Sequence, residues 1–338
     1  MSLTSHLKDP SSPIGQFIKQ RFAQTTRLTK SANQRLRTAD TIRPAQADTS
    51  YPYGLIGTAI DYRIRYAFDI TPYQRLVAWE GAKLLTVKSF ESDEDIPVDW
   101  ADLASLGTMV LPSMALTTGR AQGPYPIPLI LAFFNDLETV VNKMQPKGRL
   151  LELEDERTLD RYCIILSYFE QVFRSSAYLQ GPLMQPTVKH SVKELFSIPQ
   201  DSWINDLGEI FRRFYKQQYL LLAKSFILNP VFAGSTYVGG ADADMVVDGC
   251  LIDIKTSLSP QIKAEYLYQL AGYLLLDFDD KLHIDSVGIY MARQGLLFKW
   301  SVPVFLSELT GDNKTDLSTI RREFRILCQS GWSRSTAR

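Results

Sequence analysis

The sequence predicts an α/β fold with a large helical N-terminal extension. Beyond about residue 200 the pattern alternates as helix, strand, strand, helix, strand, strand, helix. Between the first two strand-like runs lies Asp248-Gly249, a strong signal for a two-residue hairpin loop. Before residue 200 the apolar residues recur with helical spacing or with none.

Residues 1–50 are rich in Thr, Ser, Gln and Arg and read as a basic polar arm, with one short helix over 14–22. Packing begins near Tyr51. Over 58–68, Ile60, Ile64, Ala67 and Phe68 line one helix face. Pro72 interrupts that helix or starts the next, over 73–86. Helices are also expected over 129–143 and 158–175, divided by a turn-rich stretch at 145–148, so 51–200 reads as a mostly helical region. Gly181-Pro182 marks a boundary. Residues 202–228 read as one long amphipathic helix with Ile204, Leu207, Ile210, Phe211 and Phe214 on a stripe, ended by Asn229-Pro230. Within an α/β core over 201–330, strands are expected at 236–247, 250–256, 284–292 and 296–302, with helices over 262–276 and 318–328. Residues 331–338 form a basic tail.

The 338 residues carry 45% hydrophobic and 22% charged side chains, ordinary values for a globular protein. Lys+Arg and Asp+Glu are equal at 37 each, so any nucleic-acid affinity must come from locally concentrated charge. Residues 1–50 hold eight Lys or Arg against three Asp, a local charge of +5, whereas residues 91–102 hold six acids and no base. A basic arm of this kind either is solvated or helps hold a phosphate backbone. Three cysteines, odd in number and far apart, fit a reducing compartment and cannot supply a four-cysteine cluster. With only His6, His190 and His283, a histidine-based zinc site or triad is not expected. No signal-peptide h-region and no apolar run of about 20 residues occurs, which reads as a cytoplasmic protein. Walker A, GxSxG, HExxH and GxGxxG patterns are absent, so any motor function must belong to a partner.

The chemistry concentrates in 238–257, VGGADADMVVDGCLIDIKTS. A two-residue Asp248-Gly249 loop sets Val247 opposite Cys250, Asp244 opposite Asp253, and Asp242 opposite Lys255. These four polar side chains then share one face, while Ala243, Met245, Val247, Cys250, Ile252 and Ile254 make the other apolar. Like charges set opposite each other destabilise a sheet and call for a cation. Mg²⁺ or Mn²⁺ takes carboxylate oxygens, lowers the pKa of bound water and neutralises a scissile phosphate. Lys255 adds a fixed positive charge beside them. On the following helix Gln269 and Tyr273, four apart, share a face.

The set Gly-Gly-Ala-Asp242-Ala-Asp244, Asp253-Ile254-Lys255-Thr256 and Gln269-x-x-x-Tyr273 resembles the PD-(D/E)XK nuclease superfamily, in particular its RecB-type branch, over roughly residues 200–302. The resemblance implies a restriction-endonuclease-like αβββαβ core and Mg²⁺-dependent cleavage of DNA. It implies that Asp253 with Asp244 or Asp242 holds the metal, Asp244 being favoured by the register, and that Lys255 assists the attacking water. Gly57-Thr-Ala-Ile-Asp61 resembles the branch's upstream motif, with Asp61 where a histidine is usual; Glu209 is the other upstream acid. The chain lacks the proline before the first Asp, the upstream histidine and the branch's cluster cysteines. The resemblance points to DNA repair, phage replication or anti-phage defence. The basic arm and Arg321, Arg322 and Arg325 are candidate contacts to the DNA backbone. A catalytically inactive DNA- or protein-binding subunit, or RNA cleavage by the same residues, stays open.

Overall fold

The computed structural model describes residues 2–45, 50–87, 125–143, 150–175, 181–184, 191–216 and 223–336, with side chains to 330. The acidic run 91–102, the turn 145–148 and the side chains of the basic tail lie outside the described residues. The chain forms two compact units, one of residues 1–69, 146–149 and 205–338, the other of 70–145 and 150–204. Among the described residues no helix is long and apolar enough to cross a membrane.

In the second unit the helices Val77–Leu84, Ile127–Asn142, Leu153–Arg174 and Val192–Phe196 accompany a short parallel pair, β1 (Thr86–Val87) and β2 (Tyr125–Pro126). The expected helix over 73–86 is divided: Tyr73–Arg75 is a 3-10 turn set by Pro72, and Thr86 is already strand. Its core is aromatic, with Phe133 edge-on to Phe134, Tyr162 and Phe169. Gly81 is required for close packing, since a Cβ there would meet the Phe169 carbonyl oxygen at 1.7 Å.

The first unit is built on a five-stranded mixed sheet, β3 (Phe226–Leu228), β4 (Met245–Val247), β5 (Cys250–Lys255), β6 (Ser286–Met291) and β7 (Leu296–Ser301), hydrogen-bonded in that order. Only β5 and β6 are parallel, and the helix Ala264–Leu276 makes the crossover between them. The β4–β5 hairpin has the register the turn predicts, Val247 facing Cys250 and Met245 facing Ile252. Asp248 and Gly249 have φ of 45° and 74°, the pair of left-handed residues that a type I′ turn needs.

The expected helix over 202–228 is shorter, Asp201–Tyr215, and its last residues become β3 instead. Asp248 explains the change: its Oδ1 accepts from the backbone amides of Lys224 and Ser225, fixing the start of β3 beside the turn. β4 is also shorter than the expected 236–247. Ser235–Val238 is a 3-10 turn, and Gly239 and Gly240 follow with φ of 66° and 113°, which breaks any strand.

Residues 1–45 are not a loose arm. They form α1 (Leu3–Lys8), α2 (Pro13–Arg21) and α3 (Thr26–Leu36). Leu3, Leu7, Ile18, Phe22, Leu28, Ala32 and Leu36 are buried in the same cluster as Val246, Leu251, Ile289 and Leu274. The apolar residues recur at i and i+4 in each helix, so each has one inward stripe despite its polar composition. Gly272 lets α1 approach, because a Cβ there would meet the Leu3 side chain at 2.9 Å. α4 (Tyr53–Phe68) likewise belongs to the sheet unit, not to a separate 51–200 region. On the sheet's other face, Phe68 and Phe214 pack with Phe226 and Tyr290.

Candidate active site

The site lies within the first unit, at the end of β5. Pleating puts Leu251, Asp253 and Lys255 on the face that packs against the helix Ala264–Leu276. Asp253 is 2% exposed. Its Oδ2 lies 2.6 Å from Lys255 Nζ. Lys255 Nζ also donates to Gln269 Oε1 at 2.9 Å and sits 4.9 Å from the Tyr266 ring centre. Gln269 Nε2 donates to the Tyr273 hydroxyl at 2.7 Å, and that hydroxyl donates to the Asp242 carbonyl at 2.8 Å. Tyr273 is in turn stacked on Phe232. The i, i+4 spacing of Gln269 and Tyr273 therefore makes one chain of hydrogen bonds that fixes the lysine from the helix side.

The two candidate aspartates before β4 separate in role. The β4–β5 ladder ends at Met245 and Ile252, so the expected facing of Asp242 with Lys255 is not formed. Asp242 instead bridges to Val231, and the Tyr273 hydroxyl takes its backbone carbonyl. Asp244 turns its carboxylate inward, and Oδ2 accepts the Ile254 amide at 2.5 Å. The cause is the chain's turn toward β3, where the Asn229 amide donates to the Asp244 carbonyl.

Asp61 approaches from α4. Gly57, one turn earlier, lies beside Thr256, at 3.9 Å from where its Cβ would be. Arg65 holds Asp61 through an i, i+4 ion pair, with Nε 3.0 Å from Oδ1 and Nη2 bonded to Oδ2. Glu209, the other upstream acid, is exposed. Of the helix's acids it is Asp206 that is buried. Arg293 grips it in a bidentate pair at 2.8 and 2.6 Å, and the Tyr51 hydroxyl donates to it at 2.6 Å. Arg293 also donates to the Thr256 and Ile42 carbonyls, which ties down the chain just past Lys255. Sequence reasoning did not find Arg293, Asp206 or Arg65; of these only Arg65 had a local signal, its i+4 spacing from Asp61.

Electrostatics set the carboxylates apart. Burial, then the charges of Asp61 and Asp253, push the Asp244 carboxyl well above the usual range. Asp253 is also raised, by burial, against the pull of Lys255. Burial works against the charge on Lys255, but Asp253 and Asp244 outweigh it and hold its pKa up. Three carboxylates, Asp61, Asp244 and Asp253, thus meet two cations, Lys255 and Arg65.

The donor set suits a hard cation: one buried carboxylate, Asp253, one half-buried, Asp244, and neither Cys nor His. Among the described residues no group of three His, Cys, Asp or Glu side chains is gathered in metal-holding geometry. Mg²⁺ commonly uses one or two carboxylates, with waters and phosphate completing its shell, so the Asp244–Asp253 pair fits it.

This arrangement gives a pH-dependent expectation. Asp244 binds its proton more tightly folded than unfolded, so its favourable contribution is full below the unfolded carboxyl pKa and is lost as pH rises through the raised folded value. Divalent metal needs the ionised pair. Mg²⁺ should thus raise the melting temperature more at pH 8 than at pH 5, as read by thermal unfolding. An equal shift in the doubly substituted Asp244→Asn, Asp253→Asn protein would place the metal elsewhere.

The arginines expected at a nucleic-acid surface divide. Arg321 is buried, donating to the Leu274 carbonyl and to Asp280, so it braces the fold instead of reaching a backbone. Arg322 and Arg325 are exposed, Arg325 lying over the Phe278 ring. In comparisons with known proteins, no family model, curated protein or solved structure matches this chain.

Proposed function

We propose that this protein is a metal-dependent nuclease that hydrolyses phosphodiester bonds in DNA. The observation that carries the reading is the inward Asp244–Asp253 pair, half-buried and buried respectively, beside a lysine fixed by Gln269 and Tyr273. The order of helix Asp201–Tyr215, β3, β4, β5, helix Ala264–Leu276 and β6 supports it, because it is the αβββαβ order of a restriction-endonuclease-like core.

In this reading Asp244 and Asp253 would hold Mg²⁺ or Mn²⁺, which when bound supplies charge neutralisation at the phosphate and a more acidic water. Lys255 stays protonated between two carboxylates, so its Nζ donates hydrogen bonds and does not act as a base. Its task is to hold the attacking water or a phosphate oxygen where charge develops. Gln269 is a positioning residue: its Oε1 aims Lys255 Nζ, and Tyr273 keeps the Gln269 amide from turning over. We place this activity in the cytoplasm, in repair, phage replication or anti-phage defence, with any motor supplied by a protein partner.

The test is incubation with Mg²⁺ or Mn²⁺ and linear, circular or single-stranded DNA, with RNA in parallel. Cleavage that persists undiminished in Asp253→Ala and Lys255→Ala would sink the proposal. One observation favours a second reading, a nuclease-like subunit that binds without cutting: Asp61 is already neutralised by Arg65. Calorimetry decides between them, since that reading requires DNA binding with no divalent-metal binding.

A further inference from the structure

α3 carries an unusual distribution of charge. Over residues 26–38 it holds Arg27, Lys30, Arg35 and Arg37 and no acid. Leu28, Ala32 and Leu36 face inward. Arg27, Lys30 and Arg37 fall at i, i+3 and i+10, so with Gln34 at i+7 they share the outward stripe. Arg37, although past the last helical residue, keeps helical dihedrals, so the stripe continues through it. All three cations are exposed. Arg27 forms an ion pair with Glu308 at 2.9 Å, its side chain remaining 82% exposed. The one acid that follows closely, Asp40, is taken by Arg213 at 2.6 Å.

The position of this stripe gives it meaning. The loop leaving Lys255 is clamped at both ends by α3 and its continuation. At the far end, Asn33 donates to the Ile262 carbonyl and accepts its amide, at 3.1 and 2.7 Å. At the near end, the Gln294 amide donates both to Thr41 and to the carbonyl of Ser257, two residues past Lys255. Arg37 lies between the two clamps in sequence. At the opposite end of the stripe a cavity of about 710 Å³ is lined by Thr26, Arg27, Lys30, Ser307, Glu308 and Asn313 among others, with the Arg27–Glu308 pair on its wall.

We propose that the outer face of α3 is the track for the DNA phosphate backbone, running from that cavity past Lys30 to Arg37 at the lip of the Lys255 loop. Ten residues of helix span about 15 Å. That matches roughly four phosphates of one duplex strand, at about 3.4 Å each along the axis. The contacts are to phosphate, so they position the duplex and read no sequence. The inference deepens the nuclease reading and takes its substrate class from it, but it makes a separate demand on binding.

Binding of a short fluorescent duplex, measured in EDTA so that nothing is cut, tests it between about 50 and 200 mM salt. In the triple variant Arg27→Ala, Lys30→Ala, Arg37→Ala the dependence of log K on log salt should flatten by about 2.7, three contacts at about 0.9 each. A second variant, Arg27→Lys with Arg37→Lys, should keep the wild-type slope, which separates charge from any disturbance of the fold. An unchanged slope in the triple variant, or a wild type that does not bind duplex, overturns the track. Wild type that binds with a steep slope yet cuts nothing keeps the track and removes the nuclease reading. Wild type that cuts, with a triple variant of unchanged slope, does the reverse.

Discussion

Asp253→Asn should lower phosphodiester cleavage by at least about 10³-fold, the scale expected when several kcal/mol of metal-derived transition-state stabilisation is lost. The side chain is buried and is the direct counter-charge of Lys255, so in the proposed site the amide would remove a metal ligand and leave the ammonium facing a neutral group. Asp244→Asn should be as severe, because Asp244 is the other inward carboxylate. Both variants should lose Mg²⁺ binding in calorimetry, whereas Lys255→Met should lose rate by about 10²–10³-fold and keep the metal. Asp242→Asn should be milder, since the bond from the Tyr273 hydroxyl goes to its backbone carbonyl, which the substitution keeps. If Asp242→Asn proved the most damaging of the three aspartate changes, the assignment of the inward pair would be wrong.

The second large effect concerns stability. Arg293 is fully buried, and Arg293→Ala would leave the Asp206 carboxylate with the Tyr51 hydroxyl but without its counter-charge, and would take this donor from the Thr256 and Ile42 carbonyls. Breaking one partner of a buried ion pair costs about 3–5 kcal/mol. For a unit of this size that corresponds to a drop in Tm on the order of 10 °C. Replacing both partners with apolar residues, Arg293→Met and Asp206→Leu, should recover much of the loss. A melting curve for Arg293→Ala that moves by less than about 2 °C would show that the pair is not holding this corner of the fold. Because the same guanidinium holds the Thr256 carbonyl, the variant should also weaken cleavage at temperatures where it remains folded.

What could be read in advance follows from the range of each interaction. The Asp248-Gly249 turn, the facing of Val247 with Cys250 and the shared face of Gln269 and Tyr273 are fixed by neighbours within a few residues, and the chain states them locally. β3 was hidden because its position depends on Asp248, more than twenty residues on, while its Phe-Ile-Leu extends a helical pattern without a break. α1 and α3 were hidden by composition: in α3 the few apolar residues sit among Thr, Ser, Gln and Arg, yet their spacing was sufficient to bury them. Asp206 with Arg293, 87 residues apart, and Arg321 with Leu274, 47 apart, are meetings that only the tertiary fold arranges. The expected cross-strand facing of Asp242 and Asp244 with Lys255 and Asp253 failed for a related reason. The register was right for the hairpin, but the ladder stops at Met245, one residue short of Asp244 and three short of Asp242.

The burial of α1 against the crossover helix has a consequence for the timing of synthesis. Leu3 leaves the ribosome about 270 residues before Gly272, the partner it packs on. At ~5–20 residues per second the apolar stripe of the first helix must wait on the order of 15–50 s for its surface to exist. The sheet unit can therefore complete its core only once the segment through Cys328 has emerged. Until then its earliest helices depend on remaining soluble with their apolar stripes uncovered, and the acidic pocket at the end of β5 has no finished fold around it.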